Sequence, residues 1–394
     1  MTETTRRNAA AMVALAVTGA AGGLSHTVAA AAAQVKPGPW RAVIDTPIGE
    51  LPFNLDLAQT NGAWVATLIN GPERVDAEIT TVDGATLAFE FPSYGSRIEG
   101  TVGADGVMTG TIALKRSSGP YVVPFTARHG LTHRFVADGA PSSGDVGGRW
   151  AVTVTAASGT ATSGIGEWAQ AGRLVDGAVI YVNADTRFLH GELNGAELAL
   201  STFDGGTGSL WKATLQPDGT LAGQSFSMVG SSVSTWRAVK DPTVALPDPH
   251  TLTYLKPGYD RFDFKFPDLD GKPVSLSDDR FKGKVVIVTI AGSWCPTCHD
   301  EARFMAPLVK ENRARGLEAV ALQYEYSPEF DKAVAACRAF ARRYGIDYPM
   351  LIAGTADKAA ASKTLPMINA VLVYPTMIVV DRTGAVRRIH TSFP

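Results

Sequence analysis

From Trp40 to about Lys240, apolar and polar residues alternate in short stretches, such as Ala63-Trp-Val-Ala-Thr-Leu-Ile69 and Thr86-Leu-Ala-Phe-Glu-Phe91. A period of two is what a strand with one buried face requires. Asn-Gly, Asp-Gly and Gly-Gly pairs interrupt the stretches, and these pairs accept the positive φ of tight hairpins. Helical periodicity is nearly absent, so this region is expected to be all-β and antiparallel. Beyond Lys240 the pattern changes. Val285-Val-Ile-Val-Thr-Ile290 is apolar without alternation, as expected of a strand covered on both faces. It is followed by a helical pattern over 296–315, with Ala302, Met305, Leu308 and Val309 at core spacing and Pro307 inside. A strand at Leu317–Glu325 comes next, then a helix opened by Ser327 and Pro328 that should bury Phe330, Val334, Cys337, Ala341 and Tyr344. A short helix around 356–364, a strand at 374–381 and a last strand at 385–390 complete the order. Strands alternating with helices and ending in a hairpin predict an α/β fold with a mixed central sheet.

The β region contains a duplication. Gly38-Pro-Trp40 matches Gly148-Arg-Trp150, Val82–Phe89 matches Leu193–Leu200, Ala104–Gly110 matches Pro217–Gly223, and Phe125–Ala127 matches Trp236–Ala238, at offsets of 110 to 113 residues. One duplicated meander is implied, not a short-period solenoid. The two copies, 38–140 and 145–240, should form two small barrels or one closed double-sheet module, joined at Pro141–Asp145. Trp40, Trp64, Trp150, Trp168, Trp211 and Trp236 read as core, because each buries a large apolar area. His129, His133 and His190 do not have metal-ligand spacing. Lys240–Pro249 is Pro-rich and marks a linker over 241–255, leaving 256–394 as the second domain.

A chain of 394 residues with 45% hydrophobic content has ample material for two or three domains. A net charge of −2 gives no reason to expect nucleic acid or an anionic membrane surface as partner. Three cysteines cannot staple a scaffold of this size, so they are expected to work chemically. At the N-terminus, Arg6 and Arg7 precede an uncharged stretch from Ala9 to Ala33 that ends in several Ala-x-Ala choices. That order is a secretory signal over 1–33 and points to export to the periplasm or cell envelope. The alternative is an uncleaved anchor, since 25 uncharged residues are long enough to span a bilayer.

The chemistry concentrates in Ala291-Gly-Ser-Trp-Cys-Pro-Thr-Cys-His-Asp-Glu301. This stretch places Cys295 at a strand-to-helix turn and Cys298 in the first turn of the helix. Backbone N–H groups at a helix start lack intrahelical partners and carry the positive end of the dipole, so sulfur there is stabilised as thiolate. Cys-x-x-Cys at such a position is a redox arrangement. The competing reading, half a zinc site, lacks a second cysteine pair. Pro296 suits the first helical position. Cys337, on the helical stripe, reads as an inert core thiol.

From about Phe262 onward the chain resembles the thioredoxin-fold domain of TlpA/ResA-like thiol–disulfide oxidoreductases of the redoxin group. The resemblance rests on Trp294-Cys-Pro-Thr-Cys298, Glu301, the helical Pro307 and Tyr374-Pro375-Thr376. It implies that Cys295 attacks, Cys298 resolves, Glu301 tunes the thiols' proton affinity and Pro375 is a cis-proline facing them. It further implies that Trp294, Pro296, Thr297, Tyr374 and Thr376 contact substrate. The partners implied are disulfide or dithiol proteins, with a membrane-bound electron donor among them, and no cofactor or metal is called for. The family's direction is reduction. Two features depart from the pattern. The helix that normally closes the fold after the last strand has no counterpart before Pro394, and His299 directly follows Cys298. Four residues beyond Cys295 on a helix, His299 reads either as a contact on the nucleophile's face or as a solvated first-turn residue. Two other functions compete. A thiol peroxidase would need Pro-x-x-x-Thr-x-x-Cys, but Gly292 and Val288 occupy the Thr and Pro positions. The third reading is a β-domain binding protein with an accessory redox site.

Overall fold

A computed structural model describes residues 33–393. The expected targeting segment lies outside these residues except for Ala33. Among the described residues no helix is long and apolar enough to cross a membrane.

The first β copy is an open antiparallel sheet of nine strands. Its first and last strands, Gly38–Thr46 and Gly119–His129, pair at the centre, and the edges are Glu73–Asp76 and Ile79–Asp83. The second copy, from Gly148–Ala156 to Ser232–Lys240, is an eight-stranded barrel whose last strand pairs with its first. The copies diverge at one place. In the barrel, Leu174–Ile180 pairs directly with Leu189–Asn194, whereas in the first copy the short strand Glu73–Asp76 intervenes and the ring stays open. Where two small barrels or one closed double-sheet module were expected, the copies form one barrel and one open sheet.

The open sheet does not complete its core alone. Phe203, Leu210, Phe226 and Met228 of the barrel join its apolar cluster, with the Phe53 and Phe203 rings 4.7 Å apart. Between the copies, Arg134 is buried and donates to Asn54 Oδ1, Asn70 Oδ1, Ile69 O, and both Oγ and O of Ser201. Its partners are all neutral, and burial lowers its pKa to about 9, so it stays charged at neutral pH. Five of the six tryptophans named above are buried and Trp64 is partly so. In the barrel, Trp150, Trp168, Trp236 and Trp211 follow one another at ring distances of 5.2 to 6.1 Å.

The C-terminal domain holds a mixed five-stranded sheet in the order Met350–Thr355, Leu317–Glu325, Val285–Ala291, Thr376–Val380, Val386–Thr391. The first three run parallel and the last two antiparallel to their neighbours. One apolar cluster packs on each face. The helix Pro296–Asn312 buries Ala302, Met305 and Val309 and continues as a short 3₁₀ turn, Arg313–Arg315. The helix Phe330–Tyr344 begins later than Ser327 and is capped at Glu329. Its buried residues are Ala333, Cys337, Ala339 and Phe340, with Ala341 and Tyr344 partly buried against the core, while Phe330, the first helical residue, is exposed.

Candidate active site

Cys295 is the N-cap of the helix Pro296–Asn312, in extended conformation, with Pro296 at the first helical position. Its Sγ accepts the backbone N–H of Cys298 at 3.3 Å. Negative charge on that sulfur meets a backbone donor and the positive end of the helix. Both cysteines are thiols and both are buried, with Cys295 5% and Cys298 1% exposed. Burial pushes the Cys298 thiol up, and the neighbouring Cys295 and Glu301 add to this. The pair is thus asymmetric by construction: one sulfur is hydrogen-bonded at a helix start, the other is held protonated inside.

Glu301 lies 3% exposed, with Oε1 lacking any hydrogen-bond partner, and burial raises its pKa to about 8. The Tyr374–Pro375 bond is cis, and Cys295 Sγ donates to Tyr374 O at 3.3 Å. Thr376 is buried and donates its hydroxyl to Val373 O at 2.9 Å. Trp294 donates Nε1–H to Tyr324 O at 2.8 Å, stacks on Tyr326 at 4.6 Å and meets the Tyr374 ring edge-on at 5.5 Å. Pro296 and Thr297 face a cavity together with Trp294, Cys295 and Tyr374. The structure therefore brings every residue of the expected site into one neighbourhood.

Five partners of that neighbourhood were not among the expected site residues. Glu325 is fully buried and accepts both the N–H and the hydroxyl of Ser293 at 2.8 Å, which ties the turn before Trp294 to the next strand. Burial raises its pKa, opposed by those bonds. Cys337, a core thiol as expected, donates to the same carboxylate at 3.6 Å and is itself pushed up by burial. Tyr326, the platform under Trp294, follows Glu325 in sequence. Tyr94 and Arg187 come from the β region.

His299 takes neither of the two expected positions. It is 1% exposed, and its ring stacks on Tyr94 of the open sheet at 3.8 Å. Burial lowers its pKa to about 3, so the imidazole is neutral. Nε2 lies 2.7 Å from Ser293 O, which can only accept, so Nε2 carries the proton and Nδ1 accepts from the Tyr344 hydroxyl at 2.7 Å. Next to it, Asp300 accepts from Arg187 Nη1 at 2.5 Å. Arg187 also meets Asp204 at 3.4 Å and Glu73 at 3.7 Å. Burial works against its charge, but Asp300 and Asp204 outweigh that and raise its pKa. The first turn of the dithiol helix is thus clamped by both β copies. Among the described residues no cluster of His, Cys, Asp or Glu could hold a metal ion.

The fold is that of thioredoxin, and with this dithiol its class is the thiol–disulfide oxidoreductases. The redoxin family model matches residues 258–393. Thioredoxin-like protein YneN of Bacillus subtilis is 34% identical over 141 residues, which cover 35% of this chain and 73% of that protein. Thiol-disulfide oxidoreductase ResA of Bacillus thuringiensis is 30% identical over 123 residues, 31% of this chain and 62% of that one. ResA of Bacillus subtilis is 29% identical over 138 residues, 35% and 69%. The chain belongs to the redoxin family through this domain, and the matches cover about a third of it.

Proposed function

We propose that this protein is exported and reduces disulfides of partner proteins with the Cys295–Cys298 dithiol. The observation that carries the reading is the asymmetry of the pair: Cys295 Sγ receives a helix-start N–H while Cys298 stays a buried thiol beside Glu301. Cys295 thiolate attacks one sulfur of the partner's disulfide and releases the other as a thiol, which gives a mixed disulfide. Cys298 then loses its proton and attacks Cys295 Sγ. The partner leaves with two thiols, and Cys295–Cys298 becomes a disulfide. Glu301, with a pKa of about 8, is the group placed to take the Cys298 proton. Pro375 and Tyr374 hold the partner's chain against Cys295, and Trp294, Pro296, Thr297 and Thr376 shape the surface it meets. The N-terminal signal pattern supports export, and a membrane-bound donor would return the two electrons.

Equilibration with dithiothreitol redox buffers tests this, read by thiol counting and by Trp294 fluorescence. A two-electron transition at or below about −200 mV is expected for a reductant. A Cys298→Ser variant should accumulate partner adducts on Cys295. Failure to form a Cys295–Cys298 disulfide at any ratio, or adducts on Cys337 instead, overturns the reading. A midpoint near about −120 mV would reverse the direction.

A further inference from the structure

The barrel turns one of its ends toward the dithiol. The hairpin ends that close its strands Leu174–Ile180, Glu197–Phe203 and Leu221–Ser227 lie on the rim of a cavity of about 520 Å³, joined by Val154 from the strand Gly148–Ala156. Val154, Tyr181, Trp211 and Phe226 give this rim an apolar body, and Thr202, Ser209, Ser225 and Ser234 are among its hydroxyl residues. The opposite wall is the redox turn itself, Trp294 to Thr297, with Tyr326, Lys358 and Tyr374. The mouth of a small barrel is a common place for a ligand, and this volume falls within the range of small-molecule sites.

The charges say what kind of ligand. Apart from the cysteine, the cavity has four ionisable charged residues: Arg116, Asp185, Arg187 and Lys358. Asp185 is matched by Arg187, whose own charge is matched again by Asp300, Asp204 and Glu73. Arg116 and Lys358 have no carboxylate within 4.0 Å among the described residues. Two guanidinium nitrogens of Arg116, Nε and Nη2, are buried without a hydrogen-bond partner, and Nη1 is spent on the carbonyls of Lys115 and Gly206. Burial lowers the pKa of both cations, and the more distant Asp204 for Arg116 and Cys295 for Lys358 oppose it without outweighing it. Two unmatched cations and no unmatched anion therefore flank Cys295. A partly buried cation with unpaired donors, as Arg116 presents, favours a bound anion, and the exposed Lys358 adds an attraction that salt screens.

We propose that the barrel mouth is a substrate site for small disulfides that carry carboxylates, a second substrate class for the same dithiol. The proposal rests on the reading of Cys295–Cys298 as the redox couple. Cys295 thiolate attacks RS–SR, forming Cys295–S–S–R and releasing RS⁻, which takes a proton from water. Cys298 gives its thiol proton to Glu301 and closes the bond with Cys295, while the second leaving thiolate takes a proton from water. The protein loses two electrons, and the disulfide gains two electrons and two protons to become two RSH.

A single-turnover measurement tests this, with reduced full-length protein mixed against three disulfides of similar size. These are 3,3′-dithiodipropionate (anionic), hydroxyethyl disulfide (neutral) and cystamine (cationic). Each rate is divided by that of dithiothreitol thiolate with the same compound, which removes intrinsic reactivity. The normalised rate is expected to favour the dianion over the dication by about tenfold or more, and the ratio should shrink with salt. Lys358→Gln, at an exposed position, and Arg116→Gln should each cut the preference by roughly three- to fivefold. Suberate, which has methylenes in place of the two sulfurs, should compete with dithiodipropionate in the native protein and less in either variant. Equal normalised rates, or an anion preference unchanged in both variants, overturns the proposal while the redox titration still stands. No oxidation of Cys295–Cys298 by any of the three, nor by the dithiothreitol buffer, overturns the redox reading itself.

Discussion

Replacing Glu301 by Gln removes a titratable group from the interior of the redox domain and keeps its shape. The carboxyl is 3% exposed, one oxygen has no partner, and burial raises its pKa from 4.5 to about 8. Between those two values the folded protein holds a proton that the unfolded chain has lost. Stability therefore falls as pH rises through this window and levels off above about 8. At 1.36 kcal/mol per pKa unit, the rise corresponds to a ceiling of about 5 kcal/mol. Relaxation and water entry around a buried charge reduce it, so a loss of about 2–5 kcal/mol is expected. Urea unfolding of the reduced native and Glu301→Gln proteins at pH 5, 7 and 9 measures it, since the difference between the two cancels the other titrating groups. The two should lie within about 1 kcal/mol at pH 5, where both side chains are neutral, and the variant should be the more stable at pH 9. A difference that does not change between pH 5 and pH 9 would refute the argument. The same substitution should remove any rise through about pH 8 in the rate at which Cys298 resolves a mixed disulfide.

Two further expectations concern the architecture. A Cβ on Gly223 would lie 1.9 Å from Lys212 O and 2.5 Å from Ala213 Cα, so Gly223→Ala should destabilise the barrel by about 1–3 kcal/mol or more, read as a lowered urea midpoint; an unchanged midpoint would show that the strands can part there without cost. The linker proposed over 241–255 includes exposed residues Pro242, Thr243, Ala245 and Pro247, so limited proteolysis should cut there. Because Arg187–Asp300 and Tyr94–His299 bridge the pieces, the nicked protein should still elute as one species, and immediate separation would count against that clamp.

Much of the fold was legible because hairpin chemistry is local. The strand foreseen at 86–91 is the observed Thr86–Phe91, and the turns fall on the Asn-Gly and Asp-Gly pairs that suggested them. The match of Gly110 with Gly223 also has a physical cause. In both copies a Cβ would strike the neighbouring strand's carbonyl, Glu99 O at 2.0 Å or Lys212 O at 1.9 Å. The closure of one copy and not the other was not legible, since it depends on which strand pairs with Leu174–Ile180 across a turn of variable length. Cys295 and Cys298 stood out because a strand, a turn and a helix start leave a sequence pattern, whereas Glu301 and Pro375 were reached only through the family resemblance. Tyr94, Arg187 and the true surroundings of His299 could not be found. They lie more than a hundred residues from the dithiol, in strands and turns whose local pattern only reports a β-sheet. Glu325 did leave a signal, a charged residue at the end of an otherwise apolar buried strand, where a partner has to be found.

The shared core of the two β copies sets a limit on how this chain can be divided. Phe203, Leu210, Phe226 and Met228 belong to the barrel by sequence and to the open sheet by packing. A closed ring has no edge to satisfy and can stand by itself, whereas the open sheet presents an apolar face that only its sister covers. The copies are therefore not interchangeable: one closes on itself, and the other, left open, carries the Tyr94 that reaches the redox helix. A cut at the repeat boundary therefore strands the first copy, although by sequence alone that boundary is the most natural place to divide the molecule.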